Sequence, residues 1–114
     1  MHKLVIIFLE TFAPASFDRG WQTFLSLVEK MPGLQREVVS ETQEWVFGPP
    51  QLKIRRIHEL HFESREAMEA ALRSEAGQKA AEWLHQFTQG RVLILSAEHR
   101  QATPDEFTAP EESP

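Results

Sequence analysis

Two short runs of apolar residues limit the possible folds of this chain more than any other feature. "KLVIIFLE" occupies residues 3 to 10, and "RVLILSAE" occupies residues 91 to 98. Both runs are bounded by charged residues, and such runs are typical of β-strands that are covered on both faces. The first run is too short for a membrane span or for the apolar part of a signal peptide. We therefore expect two strands of a soluble domain.

Two amphipathic helical regions are predicted between these strands. Apolar residues from 17 to 28 recur at the spacing of one helix face, and the Pro-Gly pair at 32 and 33 ends that helix. Ser64 is a candidate N-cap for a second helix, and Ser74 is a candidate N-cap for a further helical piece with the same apolar spacing. Gly90 lies where a capping glycine is expected, so this region ends just before the second apolar run.

The region between the helices supplies two more predicted strands. Residues 35 to 47 mix apolar and polar residues in a pattern that favours a long, partly exposed strand, and residues 52 to 63 favour another after a Pro-Pro turn. The resulting order is βαββαβ, the ferredoxin-like arrangement with both helices on one face of a four-stranded sheet. The predicted fold class is α+β, and 114 residues with 41% hydrophobic content fit one domain.

The second face of this sheet predicts a partner. The runs at 3 to 10 and 91 to 98 are apolar at both alternating sets of positions, so a lone chain would expose a contiguous apolar patch to water. We therefore expect a homodimer in which two sheets pack face to face.

The last sixteen residues differ in composition from the rest. They hold three prolines, and four acidic residues against Arg100 give them −3 of the net charge of −5. Such a segment has too little apolar surface to offset the entropy of ordering. The sequence predicts a domain at residues 1 to 98 and a disordered acidic tail at residues 99 to 114.

Charge and cysteine content restrict the location and the partners. The chain lacks the basic stripe of a nucleic-acid-binding protein. It also has no cysteine, which fits a reducing compartment. The expected location is cytoplasmic, with neither nucleic acid nor a membrane as a partner.

Several short motifs resemble a known family. They are "PGL" at 32 to 34, "GPP" at 48 to 50, "ELHFES" at 59 to 64, "ALRSEAG" at 71 to 77 and "FTQGRVLIL" at 87 to 95. In this order and spacing they resemble the EthD family of the dimeric α/β-barrel superfamily, over residues 3 to 98. The resemblance implies a ferredoxin-like monomer whose sheet packs on a second copy to form a barrel. Many EthD-like proteins carry a histidine eight residues before the PGL proline, but this chain has Phe24 there, so a role for that imidazole is not expected.

The resemblance implies a function in small-molecule chemistry. The family is named after a protein linked to ethyl tert-butyl ether degradation alongside a monooxygenase system, and its superfamily includes cofactor-free monooxygenases, polyketide cyclases, a muconolactone isomerase and haem enzymes. The expected function is to act on, or to bind, a small apolar or aromatic organic compound in such degradation. The alternatives are a cofactor-free monooxygenase-like enzyme and a non-catalytic ligand-binding or structural dimer.

The segment "HELH" at residues 58 to 61 carries the densest group of titratable side chains. In a strand, His58 points with Leu60 and Phe62, whereas Glu59 and His61 point to the opposite face. The two imidazoles therefore cannot converge on one ion, and no metal site is predicted.

The candidate catalytic residues are His61 and Glu59. A carboxylate two residues away on the same strand face can orient an imidazole, whose unperturbed pKa near ~6.5 suits a general base. Polar packing beside a dimer interface is the simpler interpretation of the pair. The candidate ligand-binding residues are His58, Trp21, Phe24 and Trp83, since aromatic walls around one imidazole can hold an apolar ligand, although core packing also explains them. No cofactor is predicted.

Overall fold

The structure is a computed structural model, and it describes residues 1–10, 14–49, 51 and 53–107. Its helices and strands are β1 (His2–Leu9), α1 (Pro14–Val28), β2 (Arg36–Glu41), β3 (Ile54–Phe62), α2 (Arg65–Arg73), α3 (Glu75–Thr88) and β4 (Val92–Glu98). A single 3-10 turn follows at Pro104–Phe107. The predicted βαββαβ order is present, with its second helical region divided into α2 and α3.

The four strands form one antiparallel sheet in the order β2-β3-β1-β4. This arrangement confirms the predicted ferredoxin-like α+β fold, because the two βαβ halves interlock so that β1 and β3 lie at the centre. The strands β2 and β4 are the edges of the sheet. The apolar residues of β4 are therefore less covered than those of β1.

The core lies between the sheet and the helices. Side chains at the even positions of β1, and at those of β3 from Arg56 onward, point to this side because side chains alternate along a strand. Phe8 is the centre of an aromatic group, with its ring 5.4 Å from that of Phe17 and 6.2 Å from that of Phe24. Both contacts are edge-to-face, the geometry that aromatic quadrupoles favour. The buried apolar side chains of this core are Leu4, Ile6, Phe8, Phe17, Phe24, Val28, Met31, Leu60, Phe62, Met68, Ala71, Ala80 and Leu84.

The opposite side of the sheet, which we call the outer face, carries no helix among the described residues. Register places apolar residues of all four strands next to one another there. Leu93 and Leu95 are 42% and 49% exposed. A single chain therefore leaves this apolar surface partly in water, as the sequence predicted. The apolar side chains of the outer face include Val5, Ile7, Val38, Ile57, Leu93 and Leu95.

Serine residues define the starts of both later helices. The Ser64 hydroxyl accepts a hydrogen bond from the Ala67 N–H at 3.1 Å, and the Ser74 hydroxyl accepts one from the Gly77 N–H at 3.0 Å. Both are the N-caps that the sequence predicted. Ser74 is also the C-cap of α2, and its own N–H donates to carbonyls of that helix. One residue therefore joins α2 to α3.

The predicted strand over residues 35 to 47 was too long. The strand β2 ends at Glu41, where the Thr42 hydroxyl donates to the Ile54 carbonyl at 2.7 Å and the backbone ladder stops. Val46 and Phe47 are 93% and 95% exposed. Their apolar character suggested a strand, but no strand in the described part of the chain pairs with them.

The predicted domain boundary after Glu98 and the disorder of the tail stay predictions. His99 continues the pairing of β4 with β1, because its N–H donates to the Met1 carbonyl at 2.8 Å. Residues 101–106 are exposed, and residues 108–114 lie outside the described part of the chain. None of the helices in the described part has the length and apolar character needed to cross a membrane.

We predict that Gly77→Ala destabilises the protein by more than about 1 kcal/mol. Alanine in place of glycine inside a helix ordinarily stabilises it, but a Cβ at Gly77 would overlap the Ala71 carbonyl oxygen and lie 2.9 Å from the Leu72 Cα. These are backbone atoms of α2, which cannot rotate away. Urea unfolding measures the change, with the exposed Gln78→Ala as control, for which a change within about 0.5 kcal/mol is expected. If Gly77→Ala were as stable as the parent protein or more stable, the close packing of α3 on α2 would be contradicted.

Candidate functional site

A β-bulge at Arg55 organises the start of β3. Phe8 pairs with Arg56 and Leu9 pairs with Ile54, so Arg55 has no partner on β1. A bulge places two successive side chains on nearly the same side of a strand. The guanidinium carbons of Arg55 and Arg56 accordingly lie 4.6 Å and 5.4 Å from the ring centre of Phe17. Strict alternation would place Arg55 on the same face as Glu59 and His61, but alternation fails at the bulge.

His58 lies on the helix side of β3 and is fully buried. Its Nε2 lies 2.8 Å from a carboxylate oxygen of Glu37 on the neighbouring strand. The rings of Trp21 and Phe24 face it from α1, each with its centre 5.8 Å from that of the imidazole. The structure thus brings together three of the four predicted ligand-binding residues.

Trp83, the fourth of these residues, lies apart from His58. Its indole N–H donates to the Gly20 carbonyl at 2.8 Å, and its ring stacks on that of Phe87. These contacts join α3 to α1. Trp83 therefore packs α3 against α1, and its role in ligand binding stays a prediction.

Burial lowers the pKa of the His58 imidazole below its ordinary value, because the charged form loses its hydration. The hydrogen bond and the charge of Glu37 oppose this change, and the nearby Arg56 guanidinium adds to it. At neutral pH the ring is uncharged. Since an ionised carboxylate only accepts hydrogen bonds, Nε2 carries the proton toward Glu37, and Nδ1 has a free lone pair.

The α1–β3 polar cluster, which comprises Trp21, Arg55, Arg56 and His58, holds several buried nitrogens without hydrogen-bond partners among the described residues. Arg56 uses its Nη2 for Glu41, at 2.7 Å, and its guanidinium carbon lies 4.3 Å from the ring centre of Trp21. Arg55 uses its Nη2 for Asp18, at 3.4 Å. Glu37 and Arg56 were not predicted from the sequence as neighbours of His58. Glu37 comes from the neighbouring strand and its position depends on the register of β2, whereas Arg56 lies two residues before His58 on the same face of β3.

His61 lies on the outer face, opposite to His58. Its Nε2 is 2.9 Å from a Glu59 carboxylate oxygen, and the same oxygen accepts a hydrogen bond from Lys3 at 3.1 Å. The His99 ring lies over the imidazole, with 4.6 Å between ring centres. The predicted Glu59–His61 pair is therefore formed, and the two strand histidines lie on different faces. A catalytic role for the pair stays a prediction.

The Glu59 carboxylate is held in its charged form. Partial burial acts to raise its pKa, but the hydrogen bonds from His61 and Lys3 and their positive charge outweigh burial and lower the pKa below the ordinary value. A charged Glu59 can orient the His61 ring. It also places a polar group beside the apolar part of the outer face.

Two concave regions occur near these residues. An apolar cavity of about 100 Å³ lies between the sheet and the helices, and it reaches Phe24 without reaching His58. An open groove of about 680 Å³ lies between the start of β3 and the segment after β2, with Arg55, Arg56 and Trp45 among its lining residues. Small-molecule sites commonly measure roughly 300 to 1,000 Å³. The groove falls within this range, whereas the apolar cavity is smaller than most such sites. Within the described residues, no three His, Cys, Asp or Glu side chains converge in a way that could hold a metal ion.

Comparison with known proteins gives a consistent picture of the fold. No protein-family model matches the chain. An uncharacterized 11.0 kDa protein of Rhodococcus erythropolis, encoded in the thcB-thcC intergenic region, is 26% identical over 105 residues, which are 91% of this chain and 100% of that protein. The crystal structure of an ethyl tert-butyl ether D (EthD) family protein from Bacillus halodurans superposes with a TM-score of 0.76 and 21% identity, and it covers 88% of this chain and 99% of its own. The chain has the fold of an EthD family protein. The predicted resemblance is thereby confirmed in the fold.

Other solved structures share this fold at lower similarity. SnoaB, a cofactor-independent oxygenase from Streptomyces nogalater, superposes with a TM-score of 0.66 and 16% identity over 90% of this chain and 96% of its own. A dimeric ferredoxin-like protein of unknown function from Jannaschia sp. gives 0.62 and 17% over 87% of this chain and 100% of its own. One fold therefore serves an oxygenase and a dimer of unknown function.

We predict that the stability of the protein falls at acidic pH partly through His58. The unfolded chain binds a proton at this imidazole near pH ~6.5, whereas the folded chain binds it only at lower pH. The contribution of His58 is therefore complete above about pH 6.5 and is lost as the pH falls toward the lowered folded pKa. Urea unfolding between about pH 7.5 and about pH 5 should show a shallower pH dependence for His58→Gln than for the parent. His85→Gln, at an exposed position of α3, should keep the parental dependence, and equal slopes for all three proteins would refute the assignment.

Proposed function

We infer that the protein is a homodimer that binds a small aromatic or apolar organic compound at the α1–β3 polar cluster and transfers a proton with His58. The observation that carries this proposal is the environment of His58. Its Nε2 is held by Glu37, its Nδ1 has no partner among the described residues, and its neighbours are the rings of Trp21 and Phe24. An oriented, uncharged imidazole among aromatic walls is the arrangement that a general base for an apolar compound requires.

The proton transfer needs only groups that the chain supplies. His58 Nδ1 takes a proton from an acidic O–H or C–H of the bound compound, whose bonding electrons remain on the compound as its conjugate base. The imidazolium that forms is stabilised by the Glu37 carboxylate through Nε2–H. The reverse transfer restores the neutral ring.

The edge of the sheet offers a path to His58. Val39 pairs with His58 across β2 and β3, and it is 41% exposed. Adjacent strands lie about 4.8 Å apart, so solvent is one strand away from the imidazole.

Hydrogen–deuterium exchange of phenylacetone, an aromatic ketone with acidic C–H groups, tests the proposal. We predict that the protein accelerates exchange above the buffer rate and that His58→Gln reduces the acceleration by a factor on the order of 10². The matched control is His61→Gln, on the outer face of the same strand, which should retain the acceleration. Melting curves establish that both variants are folded.

The other outcomes of this experiment assign the function differently. Loss of acceleration in His61→Gln alone would return the catalytic role to the His61–Glu59 pair. Binding of phenylacetone without accelerated exchange would make the protein a non-catalytic binder, a candidate that the dense packing around His58 and the small size of the apolar cavity favour. Oxygen uptake in the same solutions tests the cofactor-free oxygenase alternative, which the fold shared with SnoaB supports.

The homodimer is supported by the outer face. Its apolar side chains are partly exposed in the single chain, and burial of apolar surface contributes about 25 cal/mol per Å². A second copy presents the same face and covers it symmetrically. Several proteins with this fold are described as dimeric ferredoxin-like proteins. The EthD resemblance also implies that the protein takes part in the degradation of the organic compound that it binds, and we include this role in the proposal.

We predict that Leu95→Glu converts a micromolar dimer to monomer. Leu95 is half exposed on the outer face, so the substitution leaves the monomer folded while it places a charge in the apolar interface. Ser96→Glu is the matched control, because it adds the same charge to the next position of β4, on the opposite side of the sheet. Sedimentation velocity measures both. A dimeric Leu95→Glu protein, or a monomeric parent, would exclude pairing through this face.

A further inference from the structure

The buried nitrogens without partners are concentrated in one place. Within the described residues there are six such side-chain nitrogens, and five belong to the α1–β3 polar cluster: Trp21 Nε1, Arg55 Nε, Arg56 Nε, Arg56 Nη1 and His58 Nδ1. The sixth is His61 Nδ1 on the outer face. Buried polar groups are nearly always hydrogen-bonded, and each unpaired one costs roughly 1 to 3 kcal/mol. Unpaired buried nitrogens at adjacent residues therefore indicate a site for a ligand that forms hydrogen bonds with them.

Arg56 is the residue of this cluster with the most unpaired buried nitrogens, Nε and Nη1. Its side chain is only 11% exposed, and both of its ion pairs with described residues use Nη2, with Glu41 at 2.7 Å and with Asp18 at 3.8 Å. The guanidinium stays charged at any physiological pH and presents only donors. Its remaining buried nitrogens therefore call for an oxygen acceptor.

Trp21 adds a second unpaired donor next to Arg56. The Arg56 guanidinium carbon lies 4.3 Å from the Trp21 ring centre, and the same ring contacts His58. The indole N–H of Trp21 is buried and has no acceptor among the described residues, whereas that of Trp83 donates to Gly20. An indole N–H can only donate.

We propose that Arg56 and Trp21 form an oxyanion-binding site beside His58. The site would take small aromatic compounds that carry a negative oxygen, as in a carboxylate, or that gain one when a proton is removed, as in a phenol or an enolisable ketone. The oxygen accepts hydrogen bonds from Arg56 and Trp21, while the acidic proton faces the lone pair of His58 Nδ1. This inference rests on the proposed binding site, and it adds the charge of the ligand and the residues that recognise it.

A single reaction would use both the donors, Arg56 and Trp21, and the proton acceptor, His58 Nδ1. Proton removal by His58 leaves negative charge on the compound, and preorganised donors in a water-poor site stabilise such charge strongly. A non-catalytic binder would use the same donors for a compound that is already anionic. The preference for an oxyanion therefore holds with or without turnover.

Benzoate and its neutral analogue benzamide test the proposal with the intact protein. We expect benzoate to bind at least about tenfold more tightly, because charge-assisted hydrogen bonds to Arg56 require the negative oxygen. In ¹⁵N–¹H spectra the Trp21 indole signal, assigned with Trp21→Phe, should move downfield with benzoate. The Trp83 signal is the internal control and should stay in place, since its N–H is already bonded to Gly20.

Variants separate the oxyanion site from the aromatic pocket. Arg56→Met should bring the two affinities within about threefold of each other, while Arg65→Met, at an exposed arginine of α2, should retain the preference. Equal affinities of the parent for benzoate and benzamide would refute the oxyanion site but leave a small-molecule site standing. Binding of neither compound would refute both. An unmoved Trp21 signal with bound benzoate would place the anion elsewhere.

Discussion

The β-bulge at Arg55 is the local constraint that brings a second guanidinium to the side of β3 that faces α1. Without the extra residue, alternation would send the side chains of Arg55 and Arg56 to opposite faces of β3. With it, both guanidiniums reach the same side and lie on the Phe17 ring of α1. The next residue on that side is His58. The bulge therefore adds the Arg55 guanidinium to Arg56 and His58, which alternation along β3 already places on the side that faces α1.

Keeping these groups buried costs stability, and the surrounding side chains offset part of the cost. Aromatic faces of Phe17 and Trp21 attract the guanidiniums, Glu41 and Asp18 pair with one nitrogen of each, and Glu37 holds His58. The aromatic core around Phe8 and the two capped helices supply a rigid frame. Partly satisfied polar groups on a rigid frame are characteristic of sites that bind or react, because the frame keeps the groups in place when a partner is absent.

Most of the fold could be predicted from local patterns, and most of the site could not. Periodicity and turn residues identified every strand and helix, and the serine caps were located because capping is a local interaction. The faces of His58 and His61 followed from alternation alone. Glu37 was missed because its proximity to His58 depends on the register between β2 and β3, which is set by tertiary packing. Arg56 was missed although alternation along β3 places it on the same face as His58, two residues away. The length of β2 was overestimated because Val46 and Phe47 have strand propensity without a neighbouring strand.

The joint between α2 and α3 also bears on how the chain can vary in length. Ser74 ends one helix and begins the next, and Gly77 packs directly on the backbone of α2 three residues later. There is no linker residue in which an insertion could be absorbed, and one added residue would rotate α3 by about 100° about its axis. Insertions are therefore expected to be tolerated in the segment between β2 and β3, where Val46 and Phe47 project into solvent. At Ser74, between α2 and α3, an insertion is expected to disrupt the packing of the two helices.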